Sequence, residues 1–357
     1  MNAAVGLVAR ADDTGLGNQS LELHRRIRPA KTLVVDLHGL SASGKDLTSH
    51  PERFPHGRVD TVHGIPGDAL LDDWLDGLDT VLTLETPYNH ALYGLARRKG
   101  VRSVLQGNFE LLDYLQPGPH HDHPPDVLAL PSTWRLAEAE SLLGAAMEVT
   151  YLPVPLPDRH AANDPPPEVA TRWLHPVGWP ALSDRNGTRS LLRSLAHVRS
   201  KVTVTLTCQQ PGWLGSLVGP GATPRNVTLV IEADPPSDWR DLYRGHHAVV
   251  LPRRYGGLCL PANEAVAGGL PVVMTDVEPN RSWLPRWWLA ESRHEDTVMT
   301  KTLVEVHGAD PASLASRIDL LSTDVECYSG AVAETRAIHR RFSWDELEPL
   351  YRRVLGG

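Results

Sequence analysis

Cysteine, phenylalanine and lysine are scarce in this sequence. Its three cysteines, Cys208, Cys259 and Cys327, are odd in number, far apart and without CxxC spacing. That argues against a disulfide framework or a zinc ribbon and leaves them as small buried hydrophobes. Phenylalanine occurs only three times, and arginine supplies most of the 35 basic residues. No apolar run approaches the ~20 residues of a membrane-spanning helix. The N-terminus "MNAAVGLVARADD" lacks the basic, apolar and small-residue regions of a secretory signal, so a soluble cytoplasmic protein without a transmembrane segment is expected. Positive charge is in deficit too, with a formal net charge of −8. The deficit is concentrated early, since residues 1–160 carry 14 basic and 21 acidic groups. Such a balance argues against a broad nucleic-acid-binding face, although it leaves room for a local patch.

What is present is a regular alternation. Short β-rich runs, "AAVGLVA", "TLVVDLH", "RVDTVHG", "DTVLTLE", "VRSVLQG" and "DVLALP", are separated by helix-length segments. This is the pattern of buried parallel strands in βαβ units. "YNHALYGLARRKG" reads as a helix with Gly100 just past its end, and "STWRLAEAESLLG" as one capped by Ser132 and ended by Gly144. A proline-rich stretch, "LPVPLPDRHAANDPPPE", interrupts the alternation, which then resumes with "WLHPVGW", "GTRSLLRSLAHV", "KVTVTLTC", "NVTLVIE", "DWRDLYRG", "HAVVLP" and "LPVVMTD". The expected organisation is an α/β Rossmann-like domain over 1–157, a linker over 158–170, a second such domain over 171–329 and a helical tail over 330–357 that docks back. Ligands of doubly wound sheets bind outside the carboxyl ends of the strands.

The most informative stretch is "YGGLCLPANEAVAGGLPVVMTD", residues 255–276. It compresses a glycine turn, a short helix and a buried strand into little space, as a loop offering backbone N–H groups to phosphates does. Gly257, Leu260, Pro261, Glu264 and Ala265, followed by "AGGLPVVMTD", keep the order of the donor motif of retaining glycosyltransferases of family 4, which the chain resembles. The resemblance implies two Rossmann-like doubly wound domains facing across a cleft (the GT-B fold), with a nucleotide-sugar donor such as a UDP-sugar in the second and the acceptor in the first. It implies metal-independent chemistry and no cofactor. Gly256, Gly257, Leu258 and Cys259 would meet the diphosphate, and Glu264 the ribose hydroxyls. The first Glu of the family motif falls on Gly256, so recognition of the donor sugar passes to other groups, with Arg253 and Arg254 as candidates. In "VGWPALSDRNG", Gly178 fits the family pattern, Trp179 stands in place of an Arg, and Arg185 stands where a Lys neutralises the departing diphosphate. Arg185 and Glu264 are thus the catalytic candidates. Gly15, Leu16 and Gly17 correspond to the glycine loop after the first strand.

The family's histidine near the transferred sugar has no counterpart in "VLQGNFE", which offers Asn108 and Glu110 instead. His38, His63 and Glu85 are further candidates at strand ends on the acceptor side. "GLSASGKD" lacks the Ser or Thr after its Lys that a P-loop needs, and the adjacent histidines of "PHHDH" are poorly spaced for one metal ion. The N-terminal "GLVARADDTGLGNQSLELHRRIRP" resembles glycosyltransferases encoded by phages of GC-rich actinobacteria, which implies hydroxymethylated pyrimidines in DNA as acceptor. Cell-envelope glycolipids, small molecules and proteins are the competing acceptors. A catalytically silent nucleotide-sugar-binding protein is the competing function.

Overall fold

The computed structural model describes residues 3–41, 47–163, 165–178, 184–217, 223–233, 236 and 238–356. The chain divides into two compact units. Unit 1 comprises Met1–Pro155, Met299–Thr302 and Trp344–Gly357, and unit 2 comprises Leu156–Val298 and Leu303–Ser343.

Unit 1 contains the strands β1 (Val5–Ala9), β2 (Lys31–Asp36), β3 (Arg58–His63), β4 (Thr80–Leu84), β5 (Arg102–Gln106), β6 (Val127–Leu130) and β7 (Glu148–Tyr151). They form one parallel sheet in the order β3-β2-β1-β4-β5-β6-β7. The apolar runs become central strands because both faces are covered, as parallel sheets require. Helices α1 (Gly15–Ile27), α2 (Asp68–Leu75), α3 (Ala91–Arg98) and α4 (Leu136–Leu143) connect the strands. Leu71, Trp74, Leu92, Tyr93 and Leu143 pack on one face, while Leu23, Ile27, Leu347 and Tyr351 pack on the other. Two of those last residues come from the C-terminal helix, which Tyr351 pins by bonding with Gln106 of β5 at 3.0 Å. Gly100 follows α3 with φ +70°, as its sequence position implies. Ser132 does not cap α4, because the residue before that helix is Arg135, in a left-handed conformation.

Unit 2 repeats the plan with β8 (Arg172–Gly178), β9 (Val202–Cys208), β10 (Val227–Glu232), β11 (Ala248–Leu251), β12 (Val272–Thr275) and β13 (Leu289–Ala290). The sheet order is β10-β9-β8-β11-β12-β13. A separate two-stranded sheet pairs β14 (Ser292–Met299) with β15 (Leu303–Ala309). The helices are α5 (Thr188–Leu195), α6 (Pro211–Leu217), α7 (Leu260–Ala267), α8 (Asn280–Trp283), α9 (Pro311–Thr323), α10 (Val325–Arg341) and α11 (Trp344–Val354), of which α11 belongs to unit 1. "DWRDLYRG" forms only a 3-10 turn, Trp239–Leu242. The proline-rich stretch has no regular element but is anchored in unit 2, with His160 N donating to Ala267 O and Ala162 N to Gly268 O. Among the described residues no helix is long and apolar enough to cross a membrane.

Each sheet reverses its strand order next to its first strand, between β1 and β4 in unit 1 and between β8 and β11 in unit 2. These switch points are where loops part at the carboxyl edge and leave room for a ligand.

Candidate functional site

In unit 2 the residues singled out from sequence collect on the two loops at the switch point. β8 ends at Gly178, whose φ of +75° turns the chain out of the sheet. Trp179 lies outside the described residues. The chain is described again from Asp184, whose carboxylate accepts from Thr188 N at 2.8 Å and Arg189 N at 2.9 Å and so serves the first turn of α5. Below this turn, His175 is fully buried in β8, with Nδ1 2.7 Å from Val250 O and Nε2 2.9 Å from Thr188 Oγ1. The carbonyl can only accept, so Nδ1 carries the proton and Thr188 donates to Nε2. Burial lowers the His175 pKa to about 4, which keeps this brace neutral.

The β8 loop is sewn to the β11 loop. Arg254 N donates to Arg185 O at 2.9 Å, and Arg185 Nε to Tyr255 O at 3.3 Å. The Arg185 guanidinium also lies 5.2 Å from the centre of the Tyr255 ring, a cation–π distance. A side chain at Gly187 would overlap Pro252 O, so glycine is what allows the two loops to touch. Arg253 is 7% exposed, and its guanidinium donates to Tyr255 O, Leu258 O and Asn186 Oδ1 at 3.2, 2.9 and 3.4 Å. It therefore shapes the loop from inside. Arg254 turns the other way, with Nη2 2.9 Å from Glu295 Oε2.

Gly256 has φ +99°, and a Cβ built on it would collide with the Arg185 guanidinium. The arginine thus fills the space that a side chain at position 256 would need. Gly257, Leu258 and Cys259 follow and lead into α7, with Cys259 as its N-cap and Pro261 in its first turn. Their amides lie at the positive end of the helix dipole, beside a guanidinium, which is a setting for a phosphate. Glu264 sits in the next turn, half-buried. Its Oε2 accepts a 2.6 Å hydrogen bond from the hydroxyl of Tyr243, a fully buried phenol that also lies 3.2 Å from Pro261 O. Burial, and then the Glu264 charge, push the Tyr243 pKa well up, so the phenol remains a donor. Asn186 and Tyr243 carry no motif of their own and were not singled out from sequence; only their position beside the two loops reveals them.

Residues 177–324 match the family model described as glycosyl transferases group 1. The protein is a glycosyltransferase. That match takes in both loops, α7 and the β14–β15 pair. Solved structures agree on the fold. The apo lipopolysaccharide outer core galactosyltransferase WaaB is 11% identical with TM-score 0.62, covering 99% of each chain. Anabaena HepE in complex with UDP and glucose is 12% identical with TM-score 0.64, covering 99% of this chain and 100% of its own. The trehalose 6-phosphate synthase of Burkholderia multivorans is 10% identical with TM-score 0.65, covering 100% and 98%. At these identities the likeness speaks to fold, and the fold is GT-B. No curated protein matches the sequence.

Unit 1 of the glycosyltransferase disperses its candidates along the carboxyl edge of its sheet. Gly15, Leu16 and Gly17 form the first turn of α1, where Thr14 caps by accepting from Gly17 N at 3.3 Å. A Cβ on Gly17 would overlap Asp12 O, so the glycine meets a real close approach. Asp12 forms a buried ion pair with Arg10, neither of them singled out from sequence. Glu85 follows β4 with φ +60° and lies 3.4 Å from the Asn108 amide. Tyr88 shares the left-handed conformation at φ +63°. Such values are uncommon for residues with a side chain and cluster at functional sites. Glu110 is only 1% exposed, and its carbonyl accepts from Thr300 Oγ1 at 2.7 Å and Lys301 N at 3.0 Å. His38 and His63 are exposed and flank Asp36, which accepts from His38 N at 2.9 Å and lies 3.5 Å from His63 Nδ1. The hydrogen bond from His38 N, followed by that of His63, holds the Asp36 pKa below its usual range against slight desolvation. The Glu85–Asn108 pair is therefore next to the switch point, whereas the His38–Asp36–His63 group lies towards the sheet edge. Residues 42–46 of "GLSASGKD" lie outside the described residues.

Proposed function

We propose that the enzyme takes a nucleotide-sugar donor at the unit 2 switch point and transfers the sugar, with retention of anomeric configuration, to an acceptor hydroxyl bound by unit 1. The observation that carries this reading is the Arg185 guanidinium lying against Gly256, immediately ahead of the amides that open α7. A guanidinium and a helix N-terminus converging on one place suit a diphosphate that gains charge as it leaves. Glu264, oriented by Tyr243, accepts hydrogen bonds from the ribose hydroxyls. UDP and glucose occupy the HepE structure, which favours a UDP-sugar as the first donor to try. Charge neutralisation by Arg185, with orientation of both substrates, accounts for the catalysis without a metal.

The acceptor side favours an uncharged hydroxyl compound over the hydroxymethylated DNA that the N-terminal resemblance implies. Glu85, Asp36 and Asp12 mark the carboxyl edge of unit 1, and among the described residues the buried arginine beside them, Arg10, is already paired with Asp12. Carboxylates and an amide such as Asn108 suit sugar hydroxyls, whereas a DNA backbone calls for unpaired cations.

The test is a panel of UDP-, GDP- and ADP-sugars, incubated with mono- and disaccharides, glycolipids and plain or hydroxymethylated oligonucleotides and read by mass. A gain of one sugar on a neutral acceptor supports the reading, and the anomeric proton coupling of that product reports retention. A gain on hydroxymethylated DNA alone replaces the acceptor assignment, and no turnover of any donor overturns the function.

A further inference from the structure

The β11 loop is bonded to a segment that no motif singles out. β14 is polar and largely exposed. From it Glu295 projects onto Arg254, with Oε2 2.9 Å from Nη2, while Oε1 lies 3.7 Å from Arg193 Nη2 of α5. The carboxylate passes over Gly308 of β15, where a Cβ would overlap Glu295 Oε1, so a glycine at 308 is what gives the acid its place. Beside it, His307 N donates to Arg254 O at 3.0 Å. Arg254 is thus held at its carbonyl by β15 and at its guanidinium by β14, and its own amide donates to Arg185 O.

We infer that Glu295 is a positioning residue for the transfer reaction. It acts through Arg254 on the loop that carries Arg185 and Gly256, and it keeps the Arg254 charge engaged so that the diphosphate is met by Arg185 in one orientation. The inference rests on the reading of this loop as the donor site. Loss of the carboxylate leaves an uncompensated guanidinium two residues from Gly256, which competes with Arg185 for the diphosphate and holds it in the wrong place. The signature is therefore a split: kcat falls and nucleotide affinity does not.

The experiment measures kcat, donor KM, UDP affinity by calorimetry and Tm for the protein and five variants, Glu295→Gln, Arg254→Gln, their double, Gly308→Ala and Glu305→Gln. Glu295→Gln is expected to lower kcat about ten- to a hundredfold, the scale of a misplaced reacting group, with UDP affinity equal to wild type or tighter. Gly308→Ala, which displaces the carboxylate without removing its charge, is expected to lower kcat in the same direction. Arg254→Gln combined with Glu295→Gln is expected to cost little more than the worse single change, since the pair acts as a unit. Glu305→Gln removes an acid from β15 that pairs only with His307 among the described ion pairs, and it is expected to leave kcat unchanged. Wild-type kcat in Glu295→Gln, or a joint loss of UDP binding and Tm, overturns the inference. A wild-type enzyme that neither binds nor turns over any nucleotide sugar overturns the donor-site reading itself, and this inference with it.

Discussion

The guanidinium of Arg185 occupies the position over Gly256 where a side chain would begin. Two loops leaving adjacent strands thereby exchange roles: the loop after β8 supplies the functional group, and the loop after β11 supplies the space for it. The Glu of the resembling donor motif has no room at position 256, for steric and backbone reasons that point the same way, because φ there is +99°.

Restoring the motif by Gly256→Glu is accordingly expected to lower activity. The new side chain displaces Arg185, so kcat should fall about a hundredfold, as when a main charge stabiliser is removed. Gly256→Ala should fall comparably, and Arg185→Ala should make either change redundant. Steady-state rates of the singles and doubles check this; a gain of activity in Gly256→Glu counts against it.

Tyr243→Phe removes the donor that orients Glu264 and leaves the ring packed in place. Donor KM is expected to rise about tenfold, corresponding to about 1.5 kcal/mol, the lower end of what one hydrogen bond to a charged group contributes, with kcat little changed. An unchanged KM with a normal Tm would show that Glu264 is positioned without the phenol.

Glu85 pays a backbone cost of ~1–2 kcal/mol for its left-handed conformation. Glu85→Gly should therefore raise Tm by a few degrees while it lowers kcat/KM for the acceptor and leaves donor hydrolysis untouched. Thermal melts and acceptor kinetics on the same preparation separate strain kept for function from an incidental turn.

Stability should decline on mild acidification. The pKa values of His24, His175 and His247 are each lowered to about 4, burial being the first cause in all three. The unfolded chain takes up these protons near pH ~6.5, whereas the folded chain resists until about 4. Between those values the unfolded state binds more protons, so stability is full above the upper value and is lost as pH falls towards the lower. Urea unfolding from pH 7.5 to 4.5 measures the slope, and His175→Asn should be less stable at pH 7.5 with a shallower slope. A flat profile in the wild type contradicts the account.

Much of the fold was legible because parallel strands buried on both faces need continuous apolar runs: "AAVGLVA", "TLVVDLH", "DTVLTLE", "DVLALP", "HAVVLP" and "LPVVMTD" each coincide with a strand, whereas "DWRDLYRG" is only a 3-10 turn. The polar pair β14–β15 was not, since "SRHEDTVM" shows neither an apolar run nor alternation, its strand character coming from pairing rather than burial. Ser132 misled as a cap because its side-chain propensity is local, whereas the start of α4 is set by Arg135 in a left-handed turn. In the site, glycines and the motif residues were visible by type and spacing. Tyr243, Asn186 and Glu295 were not, since each acts through a partner 21, 67 or 41 residues away that only folding brings near.

A crystal structure with a bound nucleotide sugar tests the donor site most directly. The account predicts the diphosphate at the N-terminus of α7, hydrogen-bonded to amides within Gly257–Leu260 and to the Arg185 guanidinium, with the ribose against Glu264. A nucleotide bound elsewhere on the chain, or one at this loop with Arg185 turned away from its phosphates, would contradict it.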